Sequence, residues 1–427
     1  MGNVLEIKPL SRVEGHGTVK VSIAGRQVES VQLNLIESPR LFEALLVGKP
    51  YDELPEIICR ICSICSSVHR VTSLQAIEAA LCIGISEPTA LYRELIVAGG
   101  QIESHSLHLF CLVLPDYFDS AGFAELATKA PAEFKTGLRI KAAGNRIQEL
   151  VGGRLIHPAN LVPGGMGKRP ARDELKRLRD ELLEVLPDAV KACELFATCP
   201  THLHPANFTP PTYLAVQSDD SESSPVKQLV TSNGQGTDIT RYRELLPEQV
   251  VPHSYAKQSR AGGEIVAVGA LSRLNLGIQL SSRSAQAFFD ARSQLLGAPI
   301  SANVLAQGVE LIHSVEQSIA LIDTLLDHPA TCEPRAPLHI HEGIGTAALE
   351  APRGVLIHRY ELDNRGICIA ADIVTPTAIN QAAMERDLYA LASALTGTDE
   401  SELKRQLEML VRAYDPCISC AVHVVRI

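Results

Sequence analysis

The chain has 427 residues, with 39 Lys+Arg against 49 Asp+Glu, a formal net charge of −10, 46% hydrophobic residues and 21% charged residues. This globular composition excludes a mostly disordered chain, and the acidic balance leaves no basic excess to neutralise nucleic-acid phosphates. Apolar runs such as Leu109–Leu114 fall far short of the roughly 18–20 residues that cross a bilayer, so no membrane span is expected.

The opening MGNVLEIKPLSRVEGHG has no apolar core behind a basic start, so no secretory signal is visible, and Glu6 stands where an acylation motif needs Ser or Thr. Eleven cysteines, an odd number, in a large chain with no such signal read as reduced thiols, which points to the cytoplasm.

Residues 4–36 alternate apolar and polar positions around Ala24-Gly25-Arg26 and predict a small antiparallel meander within a β region of residues 1–50. A mainly helical core follows over 51–330. Pro88 opens a long helix whose stripe Leu91, Leu95, Ala98, Ile102, His105, Leu109, Leu112 needs a helical partner, and Pro115 is expected to stop it. Further helices are predicted over 131–151, 171–198, 281–296 and 302–327, with a polar, turn-rich surface excursion at 217–262. The C-terminal β/α segment, 331–423, holds strands at GVLIHRYEL and GICIAADIV and helices at 377–396 and 399–412. The fold class is α+β, one intertwined domain over 1–427: a large helical bundle core with small β elements near both termini.

Two short clusters carry the chemistry: Cys62-Ser63-Ile64-Cys65 with His69, and Cys417-Ile418-Ser419-Cys420 with His423. In a C-x-x-C pair the turn brings two sulfurs to one side, where they can hold one metal. If the pairs meet, four thiolates join the two ends of the chain, a donor set suited to zinc, iron–sulfur or another thiophilic metal. Two unrelated pairs are the alternative. His105 with His108, and His339 with His341 on an apparent strand, read as core or hydrogen-bonded histidines. Cys59, Cys82, Cys111, Cys193, Cys199, Cys332 and Cys368 read as small core residues.

The blocks SRVEGHG at 11–17, RICSICSSVH at 60–69, GGRLIHP at 152–158, EAPRG at 350–354 and DPCISCAVH at 415–423, in this order, resemble the large subunit of nickel–iron hydrogenases from end to end. IESHSLHLFCLVLPDY, with Ser63 in place of a commoner glycine, is most similar to the cytoplasmic, NAD(P)-linked sulfhydrogenase branch. The resemblance implies the nickel–iron hydrogenase large-subunit fold and reversible heterolytic cleavage of dihydrogen. It implies Cys62 and Cys417 as terminal nickel ligands, with Cys65 and Cys420 bridging to an iron that carries carbon monoxide and cyanide.

By the same resemblance Cys417 accepts the proton and Glu14 relays it. Arg353 lies over the metals with Asp116 orienting it, and Thr377, next to Pro376, donates to a cyanide. His69 hydrogen-bonds a bridging sulfur, while Glu43, His423 and the carbonyl of Ile373 hold a second metal, magnesium or iron. From their local sequence alone, Glu14 reads as a solvated turn carboxylate, Arg353 as turn chemistry, Asp116 as a cap, Thr377 as a helix cap and Glu43 as an exposed helix position.

Val424–Ile427 resembles a tail removed by a maturation protease after nickel insertion. No further cysteine set suits an iron–sulfur cluster, and GGMGKRP lacks the setting of a dinucleotide-binding turn. The implied partners are therefore an iron–sulfur small subunit, flavin- and NAD(P)-binding diaphorase-type subunits, and maturation factors. Deazaflavin-, ferredoxin- or heterodisulfide-linked assembly is the alternative within the family. A four-cysteine zinc protein is the alternative outside it, and the related complex I subunit lacks the four cysteines.

Overall fold

The computed structural model describes residues 3–37, 41–199, 209–219, 226–278, 280–292, 295–329 and 335–422. His423, the tail 424–427 and Cys332 lie outside these residues.

Strands Asn3–Ile7, Gly17–Ala24 and Gln27–Leu35 form the expected antiparallel meander, in that order. Its inward residues Val19, Val21, Leu33 and Leu35 pack on the Pro376–Ala394 helix through Ala383 and Leu388, so the N-terminal sheet and C-terminal helices share one core. The larger core is the helical bundle. Glu87–Leu107, Pro131–Gly152, Arg172–Thr198 and Asn303–Asp327 interlock through Leu95, Ile102, Ile147, Leu182, Ile312 and Ile322, all fully buried.

Pro115 does not end the long helix. The chain widens into a π-helix over His108–Val113, with Leu114 N–H bonding Leu109 O, and continues as α-helix Leu114–Tyr117. With the register widened just before Pro115, its missing N–H breaks no regular ladder. The helix expected over 281–296 is the shorter Arg283–Asp290, capped by Ser282.

The stretch 217–262 is not a simple surface excursion. Strands Thr212–Asp219, Val226–Thr231 and Gly236–Asp238 join Val266–Ala267 in a four-stranded sheet. Leu229, Tyr242, Leu246 and Ala261 are buried against Val355, Ile357 and Val374. Few apolar residues suffice there because they meet the apolar positions Ala348, Val355, Ile357 and Val374 of the neighbouring sheet. His339 and His341 stand on exposed irregular chain, not a strand, and Cys82 is exposed in the left-handed region at φ 50°, not a core residue.

Strands Gly343–Ala351, Gly354–Leu362 and Cys368–Val374 form the C-terminal antiparallel sheet. The first two are joined by a two-residue turn, Pro352-Arg353. Helix Ser66–Ala80 lies directly on this sheet: a Cβ at Gly345 would stand 1.9 Å from Ala76 O, so only glycine admits the helix so close. That approach sets Cys65, at the helix N-terminus, beside the turn that carries Arg353.

Candidate metal centre

Two elements converge from opposite ends of the sequence. The loop after Ile58 ends at Cys65, which is the N-cap of Ser66–Ala80. The second pair lies on the short turn Ile418–Ala421, entered through Asp415-Pro416-Cys417. The N-terminal loop clamps that turn: Glu14 and Cys417 form a parallel bridge, and Ile418 N–H donates to Glu14 O at 3.0 Å. Gly15 makes this possible, since its φ is +85° and a Cβ there would meet Ile418 Cβ at 2.7 Å.

The sulfurs of Cys62, Cys65, Cys417 and Cys420 lie within 4.8 Å of one another, and all four residues are buried. Cys417 Sγ is 3.4 Å from Cys62 Sγ, 4.0 Å from Cys65 Sγ and 3.0 Å from Cys420 Sγ. One metal with sulfur bonds of about 2.3 Å holds its ligands at such separations. Among the described residues no second group of three or more His, Cys, Asp or Glu converges in this way.

The four thiols share their protons unevenly. Hydrogen bonds from Cys417 and Cys420 hold Cys62 and Cys65 low, Cys65 well below an ordinary thiol, while burial pushes Cys417 and Cys420 well above it. Crowding four thiols out of water gains little by packing alone; a soft cation that takes all four as thiolates resolves the conflict.

The charged groups around the sulfurs are specific. Arg353, fully enclosed, points Nη1 at Cys65 Sγ at 3.2 Å. Its Nε donates to Asp415 O at 2.9 Å and Oδ1 at 3.1 Å, and its Nη2 lies 3.0 Å from the same Oδ1. The acid in contact with Arg353 is Asp415, not the expected Asp116. Asp116 accepts from Arg412 Nε at 2.8 Å and Nη2 at 2.9 Å, and from Arg12. It stands on the helical turn just past the π segment, where two other arginines reach it first. Asp415 stood two residues from Cys417 in the sequence; that adjacency was the available signal.

Glu14 is partly buried rather than solvated. Its carboxylate accepts from Ser419 Oγ at 2.5 Å and Ser419 N at 3.1 Å, and burial together with the nearby Cys62 charge raises its pKa. His69 Nε2 is 3.5 Å from Cys420 Sγ. Thr377 is the second residue of its helix, after Pro376; Thr375 is the N-cap, and Thr377 Oγ1 accepts from Cys417 N at 2.8 Å. Glu43, on Phe42–Leu46, accepts from Ile373 N at 2.9 Å and lies 3.7 Å from Lys257 Nζ, which pairs with Glu248 at 2.8 Å. His105 bonds Glu310 at 2.9 Å, and His108 bonds Gln307 at 2.5 Å and Arg412 O at 2.7 Å, so both are internal structural histidines.

The sequence pattern of the nickel-dependent hydrogenase family matches residues 40–138 and 218–423. The chain is 39% identical to sulfhydrogenase 1 subunit alpha of Pyrococcus furiosus, over 99% of this chain and 98% of that one. It is 36% identical to sulfhydrogenase 2 subunit alpha of the same organism, over 99% and 100%. Among solved structures it superposes on an NAD+-reducing [NiFe]-hydrogenase in the H2-reduced state, with a TM-score of 0.89 and 28% identity over 99% of each chain. The [NiFeSe] hydrogenase of Desulfovibrio vulgaris Hildenborough shares the fold, with a TM-score of 0.76 at 21% identity. A buried four-sulfur centre built from both ends of one chain, within a fold and sequence matched from end to end, establishes that the chain belongs to the nickel-dependent hydrogenase family as a large, catalytic subunit.

Proposed function

We propose that Cys62, Cys65, Cys417 and Cys420 hold nickel, with Cys65 and Cys420 shared by an iron bearing carbon monoxide and cyanide, and that the subunit works in an NAD(P)-linked assembly. The single observation that carries the reading is the convergence of four buried sulfurs within 4.8 Å beneath one guanidinium. Soft thiolates suit nickel and iron. Arg353 offers a fixed charge and N–H donors to a strongly accepting anion such as cyanide, and the Thr377 hydroxyl, which accepts from Cys417 N, keeps its own proton to donate. When bound, the two metals supply the Lewis acidity that polarises dihydrogen toward heterolysis.

The chain's own groups then handle charge and proton. Cys417 adjoins the proposed exit: Glu14 bridges its backbone, hydrogen-bonds its side chain and receives Ser419 on both N and Oγ. A carboxyl whose pKa burial has raised can take a proton from a thiol and pass it on, and Ser419 fixes its orientation. Arg353, held by Asp415, keeps a positive charge over the sulfurs so that the buried thiolates are not left uncompensated.

Glu43, the Ile373 carbonyl and His423 are proposed to hold the second metal, magnesium or iron. Glu43 stands beside Ile373, whose N–H it accepts at 2.9 Å, and a carboxylate with a backbone carbonyl is an oxygen donor set that suits a hard cation. Removal of Val424–Ile427 would leave His423 as the terminal residue.

Electrons must leave through other chains. An iron–sulfur small subunit and diaphorase-type flavin subunits are the proposed partners, in the cytoplasm. No helix of the described residues is long and apolar enough to cross a membrane. The similarity to an NAD+-reducing hydrogenase supports the NAD(P) assignment. Co-purification with partner subunits, followed by dihydrogen-dependent reduction of NAD+, NADP+ and a deazaflavin, tests it; reduction of the deazaflavin alone overturns the branch.

A further inference from the structure

Behind Cys420 runs a buried chain of hydrogen bonds that the proton route above does not use. His69 Nε2 lies 3.5 Å from Cys420 Sγ, and His69 Nδ1 lies 3.1 Å from His358 Nε2. His358 Nδ1 lies 2.8 Å from Tyr360 Oη, which is 3.1 Å from Ser73 Oγ. His69 is 1% exposed and His358 and Tyr360 are 0% exposed, so bulk water does not set the ring tautomers.

The donors can be assigned from the sulfur outward. A cysteine that binds a metal does so as a thiolate, which accepts hydrogen bonds and donates none. His69 must then present Nε2–H to Cys420. A neutral imidazole with its proton on Nε2 has a lone pair on Nδ1, so the proton between the two rings belongs to His358 Nε2. His358 Nδ1 is in turn an acceptor, and the donor that faces it is the Tyr360 hydroxyl. Tyr360 Oη lies 3.1 Å from Ser73 Oγ; with the Tyr360 proton turned to His358, the rotatable Ser73 hydroxyl is the donor of that pair. Every group is satisfied with all protons directed toward the sulfur.

We infer that His358 and Tyr360 are positioning residues that lock His69 in its Nε2–H tautomer, so that it donates to the sulfur of Cys420 shared by the two metals. The assignment rests on the reading of Cys420 as a metal ligand. A donor on a bridging thiolate draws electron density off the metals, so fixing that donor fixes the electronic balance of the site.

The test uses the holoenzyme with its partner subunits, carrying His358→Leu, His358→Gln or Tyr360→Phe. The stretching bands of metal-bound carbon monoxide and cyanide, and kcat per nickel, are measured. His358→Leu is expected to displace the bands and lower kcat about tenfold or more, with KM for dihydrogen unchanged; His358→Gln, whose amide N–H replaces Nε2–H, returns the bands and keeps kcat within about twofold of wild type. Tyr360→Phe moves the bands in the same direction by less.

Wild-type bands in His358→Leu, or an equal displacement in the Leu and Gln variants, overturn the assignment. If His358→Leu does not assemble, Tyr360→Phe decides alone, and unmoved bands overturn it. Wild-type enzyme without such bands contradicts the nickel–iron reading itself, whereas wild-type bands that no variant moves contradict only the tautomer assignment.

Discussion

Arg353 and Asp415 face each other through three contacts, Nε to the carbonyl at 2.9 Å, Nε to Oδ1 at 3.1 Å and Nη2 to Oδ1 at 3.0 Å, both residues almost wholly enclosed. Asp415 lies two residues before Cys417, so the acid that aims the guanidinium moves with the metal-binding turn. Asp415→Asn keeps the acceptor oxygen and removes the charge, and is expected to lower turnover about tenfold or more. Asp116→Asn is expected to leave turnover near wild type but to destabilise the fold, because Arg12 and Arg412 lose their counter-charge; breaking such a buried pair costs about 3–5 kcal/mol. Turnover and melting temperature of the two variants, side by side, separate the roles; equal loss of turnover in both contradicts the assignment.

Glu14→Gln keeps the shape of the carboxylate and one acceptor for Ser419 but cannot carry the proton. Loss of a positioned acid–base group costs about 10²–10⁴ in rate. Turnover is expected to fall by that order with nickel and iron content unchanged. Full turnover in Glu14→Gln removes it from the proton route.

Arg273 holds Glu310 with Nε at 2.5 Å and Nη2 at 2.6 Å and also reaches Glu350 and the carbonyls of Ala351 and Pro352, so it braces the turn that carries Arg353. Against the cost of burial, the Arg273 charge and its hydrogen bonds bring the Glu310 pKa down to about 2. The folded-state pKa is depressed, so the stabilisation is full above the ordinary carboxylate value near 4.5 and is lost as pH falls toward about 2. The difference in melting temperature between wild type and Glu310→Gln is expected to be largest at neutral pH and to shrink on acidification through that window. A difference independent of pH contradicts it.

Glu43→Gln is expected to remove the second metal while leaving nickel in place, read as loss of magnesium, or of the extra iron, by elemental analysis of the purified complex. Retention of both metals in full removes Glu43 from that site.

Much of the scaffold was legible because its signals are local and redundant. The meander follows from period-two alternation around Ala24-Gly25-Arg26, and Pro131–Gly152, Arg172–Thr198 and Asn303–Asp327 from apolar stripes longer than two turns. The site was legible where motif and spacing coincide, at the two cysteine pairs. What could not be read was tertiary choice. Asp116 and Asp415 are both acids near arginines, and only the packing decides which arginine each one meets. Pro115 carries a strong stop signal that the π-helix neutralises, and the buried face of 217–262 exists only opposite the C-terminal sheet. Nothing local in GVLIHRYEL marks His358, because its partner His69 lies 289 residues away.

The most direct test is elemental analysis of the subunit purified with its partners, in wild type and in Cys417→Ser. The predicted result is one nickel per wild-type chain, with iron and infrared bands of metal-bound diatomics, and loss of nickel and of dihydrogen turnover in the variant while the helical circular dichroism persists. Zinc in place of nickel in active-length wild-type subunit, or full nickel and turnover in Cys417→Ser, would contradict the four-sulfur nickel site.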